Sequence, residues 1–128
     1  MPRALRCFPL TGTTKMNDRA PQVWEIWHAR FDYSEGKGHK YRPVIVVDMC
    51  SYGLLVMMVT SATNKLQFEH DYLIRDWREA GLEKASIARA DRIAEIPSGY
   101  LGTTGYIGTL TERDIVAITM ILAEIASG

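Results

Sequence analysis

The sequence has no excess of either charge: 15 lysines and arginines balance 15 aspartates and glutamates over 128 residues. That disfavours a generic polyanion binder, which needs a strongly basic surface, but leaves room for a basic groove on a neutral body. Cysteine is scarce. Cys7 and Cys50 form neither a metal-ligand spacing nor a disulfide framework. Cys50 ends an apolar run and reads as a small buried hydrophobe, and a reducing compartment follows. No apolar run approaches the ~20 residues of a membrane span. The N-terminal MPRALRCFPLTGTTK has two arginines but no continuous apolar stretch of signal-peptide length. A cytoplasmic protein with no membrane association is expected. Repeats and low-complexity tracts are absent as well.

What is present is apolar material, 47% of residues, enough for one core in one domain. Residues 1–20 mix Pro, Thr, Arg and Gly without period and are expected to form a flexible N-terminal extension. Met16 is a candidate natural start just ahead of the patterned chain. A single domain is expected over 21–128. Residues 23–31 (VWEIWHARF) are aromatic and β-branched, with Trp27, Ala29 and Phe31 on one face at period two. DYSEGKGHKY (32–41) reads as a flexible hairpin loop. Pro43 opens the strand VIVVDM, residues 51–53 turn, and LLVMMVT runs to Thr60. After the polar SATNK, the stretch QFEHDYLI (67–74) alternates like a half-buried strand. Residues 76–84 form a helical turn or irregular connection broken at Gly81. SIARADRIAEI (86–96) is a strand with Ile87, Arg89 and Asp91 on one face and Ala88, Ala90 and Arg92 on the other.

After Pro97, LGTTGYIGTL reads as a glycine-containing connection to one helix. Thr111 is its expected N-cap, and Glu112 and Asp114 suit the positive end of the helix dipole. Ile115, Ile118, Ile121, Leu122 and Ile125 form its apolar stripe, and Gly128 ends it. The expected fold is mainly β (α+β): five or six short strands in a small SH3-like barrel, closed by a C-terminal helix.

Polar side chains at strand ends can be held rigidly over a shared cleft. Arg42 begins one strand, Thr60 and Ser61 end another, and Arg89 and Asp91 lie two apart on a third. The segments VWEIWHARFDYSEG, RPVIVV, VTSAT, GLEKASIARADRI and IGTLTERDI follow one another in the order and spacing of a known family. In them the chain resembles the MazF/PemK (Kid-like) toxins of bacterial toxin–antitoxin pairs over about residues 23–126. Each motif alone is weak; five in order make a specific pattern.

The resemblance implies a metal-independent, sequence-selective endoribonuclease without cofactor. It would cut single-stranded RNA by attack of the ribose 2′-hydroxyl, leaving a 2′,3′-cyclic phosphate or 3′-phosphate and a 5′-hydroxyl. It also implies a cytoplasmic homodimer inhibited by an antitoxin with a disordered acidic tail. Two catalytic assignments compete within the family, and the chain keeps residues for both. In one, Arg42 and Thr60 do the chemistry and Ser61 positions the substrate. In the other, Asp91 is the base and Arg89 the acid or phosphate stabiliser. Substrate contacts are expected from Ser61, His39, Lys40 and Arg92. The chain departs from the family in its first loop, where GKGHK displaces His39 by about two positions from the usual histidine. It also has Arg92 where glutamine is common.

Plainer readings stand beside these. Arg42 can cover apolar surface, Thr60 and Ser61 can end a strand, and Arg89 with Asp91 can form an exposed ion pair worth under ~1 kcal/mol. His28 and His70 read as outer-strand polar residues. The Met57-Met58 pair, Trp24, Trp27 and Phe31 read as core or dimer interface, with Trp24 and Tyr41 as candidates for base stacking. Two other functions remain open: a gyrase-poisoning protein binder on the same barrel, as in the CcdB toxins, or a barrel that binds RNA without cutting it.

Overall fold

The computed structural model describes residues 20–32, 38–50, 53–61 and 69–127, with the side chains of 32, 39 and 102–104 outside that description. Residues 1–19, the expected extension with Cys7 and Met16, therefore lie outside the described residues, as do the turn at 51–52, the loop at 62–65 and Gly128.

The strands are β1 (Glu25–Asp32), β2 (His39–Cys50), β3 (Gly53–Ser61), β4 (Asp71–Leu73), β5 (Ser86–Ile96) and β6 (Leu101–Thr109). A short 3-10 turn, Ser98–Tyr100, precedes β6, and helix α1 (Glu112–Ser127) ends the described chain. The strands form one antiparallel sheet in the order β4-β5-β3-β2-β1-β6. The mainly β fold with a C-terminal helix is thus as expected, with one difference. No ladder joins β4 to β6 among the described residues, so the sheet is open rather than a closed barrel. β4 has only three residues, too short an edge to close it.

Both faces of the sheet are apolar, which explains the unbroken run VIVV. On β1 and β2, Trp27, Ala29, Val44 and Val46 belong to one buried cluster, while the intervening Ile26 and Ile45 belong to the other. Period-two alternation thus feeds two cores from the same strands. Phe31 packs against the first cluster with Trp27 and Ala29, as its spacing predicts. Helix α1 covers the second: Ile118 is fully buried there, with Ile115, Ile121, Leu122 and Ile125 packed against it.

Three local expectations change. His39, Lys40 and Tyr41 are not loop residues. They zip onto β1, opposite Asp32, Phe31 and Arg30, because the β1–β2 ladder continues past Arg42. LGTTGYIGTL is not a connection but β6, added to the free edge of β1. Irregular register between Ile26 and Ala29 accommodates it, and backbone hydrogen bonding asks nothing of side chains, so glycines can serve. Of the expected strand 67–74, only Asp71–Leu73 is strand; residues 67–68 lie outside the described residues.

β5 also departs from simple alternation. Met57 pairs with Ile93 and Met58 with Arg89, so Ala90, Asp91 and Arg92 are extra residues in a bulge. Such a bulge re-aims side chains, and the shared face expected for Ile87, Arg89 and Asp91 is interrupted at Asp91.

The turn before β5 is held close to β6. Gly81 has φ +93°, and a Cβ on Gly108 would collide with the carbonyl of Ala80. Gly108→Ala is expected to destabilise the fold by about 1–3 kcal/mol through this overpacking, read as a lowered denaturation midpoint.

The start of α1 is anchored by carboxylates. Asp114, fully buried, accepts hydrogen bonds from the Tyr72 hydroxyl (2.5 Å), the Arg75 N–H (3.0 Å) and the Asp76 N–H (2.9 Å). Thr111, the expected cap, donates its hydroxyl to Asp76 Oδ2 instead (2.6 Å). Arg113 adds two donors to the Asp76 carboxylate, at 2.6 and 3.3 Å. Hydrogen bonds from Arg113 first, then Thr111, hold the Asp76 carboxyl below the usual range. Burial, then the bond to Asp114, pushes the Tyr72 phenol up to about 12. A raised folded-state value means stability present below the ordinary pKa of 10 and lost as pH climbs from 10 to about 12. Ultraviolet titration of tyrosinate is expected to show a late step near pH 12 that Tyr72→Phe abolishes.

Candidate active site

An open cleft of about 570 Å³ lies at the ends of β2 and β3. Lys40, Tyr41, Arg42 and Pro43 line it from β2, and Val59, Thr60 and Ser61 from β3. Ser86, at the start of β5, pairs with Ser61 across the ladder and lines the cleft too. The turn 81–84 and Tyr106 with Ile107 of β6 complete it, and His28 of β1 reaches it beside its ladder partner Pro43.

Alternation explains how one cleft draws on so many strands. Arg42 pairs with Ala29 and so shares the Val44 face, whereas Pro43 pairs with His28 on the opposite face. The cleft therefore crosses the strand ends, collecting residues from both faces. This is where an exposed arginine can stand beside hydroxyls with its charge in water and its stem on the sheet.

The electrostatics are local. Among the described residues, Lys40, Arg42 and Lys84 line the cleft against one carboxylate, Glu83. A chain with no net charge thus presents a cationic cleft. Arginine adds a fork of donors that fits phosphate bidentately.

Of the expected site residues, Lys40, Arg42, Thr60 and Ser61 meet in this cleft. Arg89, Asp91 and Arg92 are not among the residues that line it. Arg89 lies across the β4–β5 ladder from Asp71 and pairs with it, Nη1 to Oδ2 at 3.4 Å. The Asp71 side chain is 0% exposed and that of Arg89 17%, so this is an interior pair. Asp91, in the bulge, lies 4.0 Å from His70 Nδ1. Arg92 is exposed in the same bulge. The backbone of His39 faces Asp32 in the ladder, and its side chain lies outside the described residues. Among the described residues no three His, Cys, Asp or Glu side chains cluster to hold a metal ion.

The sequence did not single out Lys84 or Tyr106, and His28 read there as an outer-strand polar residue only. His28 carried a usable signal, since it alternates with the buried Trp27 and Ala29. Tyr106 carried none, because its segment did not look like a strand.

The profile of the family described as "PemK-like, MazF-like toxin of type II toxin-antitoxin system" matches residues 22–126. No curated protein matches the chain. Solved structures do. An endoribonuclease from a mycobacterial species is 16% identical with a TM-score of 0.62, covering 86% of this chain and 94% of its own. The toxin MazF-mt6 of Mycobacterium tuberculosis is 22% identical with a TM-score of 0.57, covering 78% and 93%. A MazE–MazF structure from Deinococcus radiodurans is 12% identical with a TM-score of 0.63, covering 85% and 97%. At these identities the structural likeness concerns the fold, while the family profile spans nearly all of the described chain: the protein belongs to the PemK-like, MazF-like toxins of type II toxin–antitoxin systems.

Proposed function

We propose that the protein is a toxin endoribonuclease that cuts single-stranded RNA at selected sequences, with Arg42, Thr60 and Ser61 forming the reacting centre. One observation carries this reading: Arg42 and the Thr60-Ser61 pair, far apart in sequence, line one cationic cleft. The similar structures include a protein described as an endoribonuclease, and a MazF in complex with MazE. Family membership supports an antitoxin partner and the cytoplasm as site of action.

The chemistry needs no metal in this proposal. The ribose 2′-oxygen attacks phosphorus and the P–O5′ bond breaks. The 2′-proton leaves to a base, and the 5′-oxygen takes one up. Arg42 steadies the negative charge that grows on the non-bridging oxygens, the term that usually dominates such catalysis. The Thr60 hydroxyl donates to the same phosphate, and Ser61 and Lys40 position the chain around it. Arg89, paired with buried Asp71, supports the β4–β5 ladder in this reading. The active form is a two-fold dimer, with RNA running across both protomers. The acidic tail of the antitoxin competes for the cationic cleft.

The test is incubation of purified protein with a long single-stranded RNA in EDTA, followed by mapping of new 5′ ends. Discrete cuts bearing 5′-hydroxyls are expected. Intact RNA from a protein that still arrests growth would overturn the reading in favour of a non-catalytic binder, such as a gyrase-directed toxin.

A further inference from the structure

We propose that Glu83 is a guanine-reading subsite, whose carboxylate accepts the N1–H and N2–H of one unpaired guanine beside the phosphate held at Arg42. The inference rests on the ribonuclease reading above and names the base that this same cleft selects.

Three observations on Glu83 converge. It lines the cleft with Lys40, Arg42 and Lys84, so an acid sits among the cations that suit a phosphate. It is exposed, and among the described residues its carboxylate forms no ion pair and accepts no hydrogen bond, although Lys84 is its neighbour in the chain. And the turn that carries it is pinned on both sides. Leu82 packs against the core under helix α1, and its N–H donates to the Trp77 carbonyl (3.0 Å). Ser86, buried, donates its hydroxyl to the Lys84 carbonyl (2.9 Å).

The same turn is fixed against β6, because Gly81 stands so close to the Ile107 carbonyl that a Cβ would collide with it. The backbone at Glu83 is therefore set before a ligand arrives, and only side-chain rotation is frozen on binding. A carboxylate placed in this way repels phosphate, and an acidic peptide gains nothing from it. It becomes favourable when the ligand brings donors of its own.

Base chemistry narrows the donor. An ionised carboxylate only accepts hydrogen bonds, and its two oxygens take two parallel N–H groups. Unpaired RNA presents the Watson–Crick edges of its bases. Guanine alone among the four carries two adjacent donors on that edge, N1–H and N2–H. Adenine and cytosine set a ring-nitrogen acceptor beside the amino group, and uracil flanks N3–H with two carbonyls. Each of these turns a lone pair toward the carboxylate. A bidentate contact discriminates against the wrong base by about 5- to 150-fold.

The test maps the cuts that the full chain makes in a long single-stranded RNA. Guanine is expected at one fixed position near the scissile bond. The preferred site is then made as a short strand with guanine, inosine or adenine at that position. Wild-type kcat/KM should fall about 5- to 150-fold from guanine to adenine, with inosine, which lacks the N2 amino group, in between. Glu83→Gln keeps the size of the side chain but replaces one acceptor by a donor, so guanine should no longer lead by more than about threefold. Its thermal midpoint should match wild type, since Glu83 is exposed. Cuts with no fixed guanine would overturn the proposal and leave the ribonuclease reading intact. So would a Glu83→Gln protein that keeps the wild-type ranking of the three strands, even if it binds all of them more tightly by one factor, the mark of a carboxylate that only repels phosphate. If wild type leaves the RNA uncut, the ribonuclease reading fails, and binding of short A/U strands carrying one guanine or one inosine decides the subsite. A guanine preference that Glu83→Gln loses upholds it, and equal affinity overturns it too.

Discussion

Arg42→Ala is expected to reduce RNA cleavage, as kcat/KM, by about 100- to 1,000-fold, the usual cost of losing one pre-organised donor to a developing oxyanion. Stability should change by no more than about 0.5 kcal/mol, because the Arg42 side chain is exposed at its strand position. The separation of the two readouts is what makes the result informative. Arg42→Lys keeps a charge but not the fork of donors, so it should recover only part of the activity. Thr60→Ala, which removes one hydroxyl, should cost less. The competing assignment makes the opposite forecast. If Arg42→Ala stays within about threefold of wild type while Asp91→Ala abolishes cleavage, the chemistry lies on β5. Arg89→Ala is a poorer probe. It strips the charge partner from Asp71, whose side chain is 0% exposed, and should lower stability whatever it does to activity.

The largest effect on folding is expected at Asp114. Its carboxylate ties α1 to the segment after β4 through one phenol and two backbone N–H groups. Asp114→Ala leaves those donors facing a buried space with no acceptor. Each unsatisfied buried group costs about 1–3 kcal/mol, so a loss of roughly 3–5 kcal/mol is expected. That is a large share of the 5–15 kcal/mol typical of a domain. Urea denaturation would measure it as a lower midpoint at unchanged slope. Asp114→Asn keeps one acceptor oxygen and should lose less. If the network acts as a unit, Tyr72→Phe combined with Asp114→Ala should cost less than the two single losses added together. Strict additivity would show that the phenol contributes independently.

Much of the architecture was legible because its signals are periodic and local. The stripe from Ile115 to Ile125 predicted α1, and Trp27, Ala29 and Phe31 predicted the buried face of β1. Both come from geometry that any strand or helix imposes on its own neighbours. The partner of an edge is a different matter. Whether LGTTGYIGTL joins β1 depends on backbone groups that every residue carries, so its side chains gave no sign of β6. The same holds for His39, Lys40 and Tyr41, which the ladder draws into β2. Within the candidate site, Arg42, Thr60 and Ser61 could be singled out in advance, although Arg42 lies within β2 and not at its start as expected. Which arginine shared a cleft with the hydroxyls could not.

The amino-acid sequence by itself determined the balance of charge, the two-faced apolar strands, the helix stripe and the family motifs, since these are properties of composition and spacing. Only the tertiary structure decided that Arg42 stands with Thr60 and Ser61 while Arg89 pairs with buried Asp71. It alone inserted the bulge that takes Asp91 out of step and brought His28 and Tyr106 to the cleft. The physical reason is common to all of them. A cleft is made by segments remote along the chain, and register shifts of one to three residues, invisible in the pattern, choose which side chains reach it. A protein with no net charge acquires a cationic cleft in the same way, by where the fold gathers Lys40, Arg42 and Lys84.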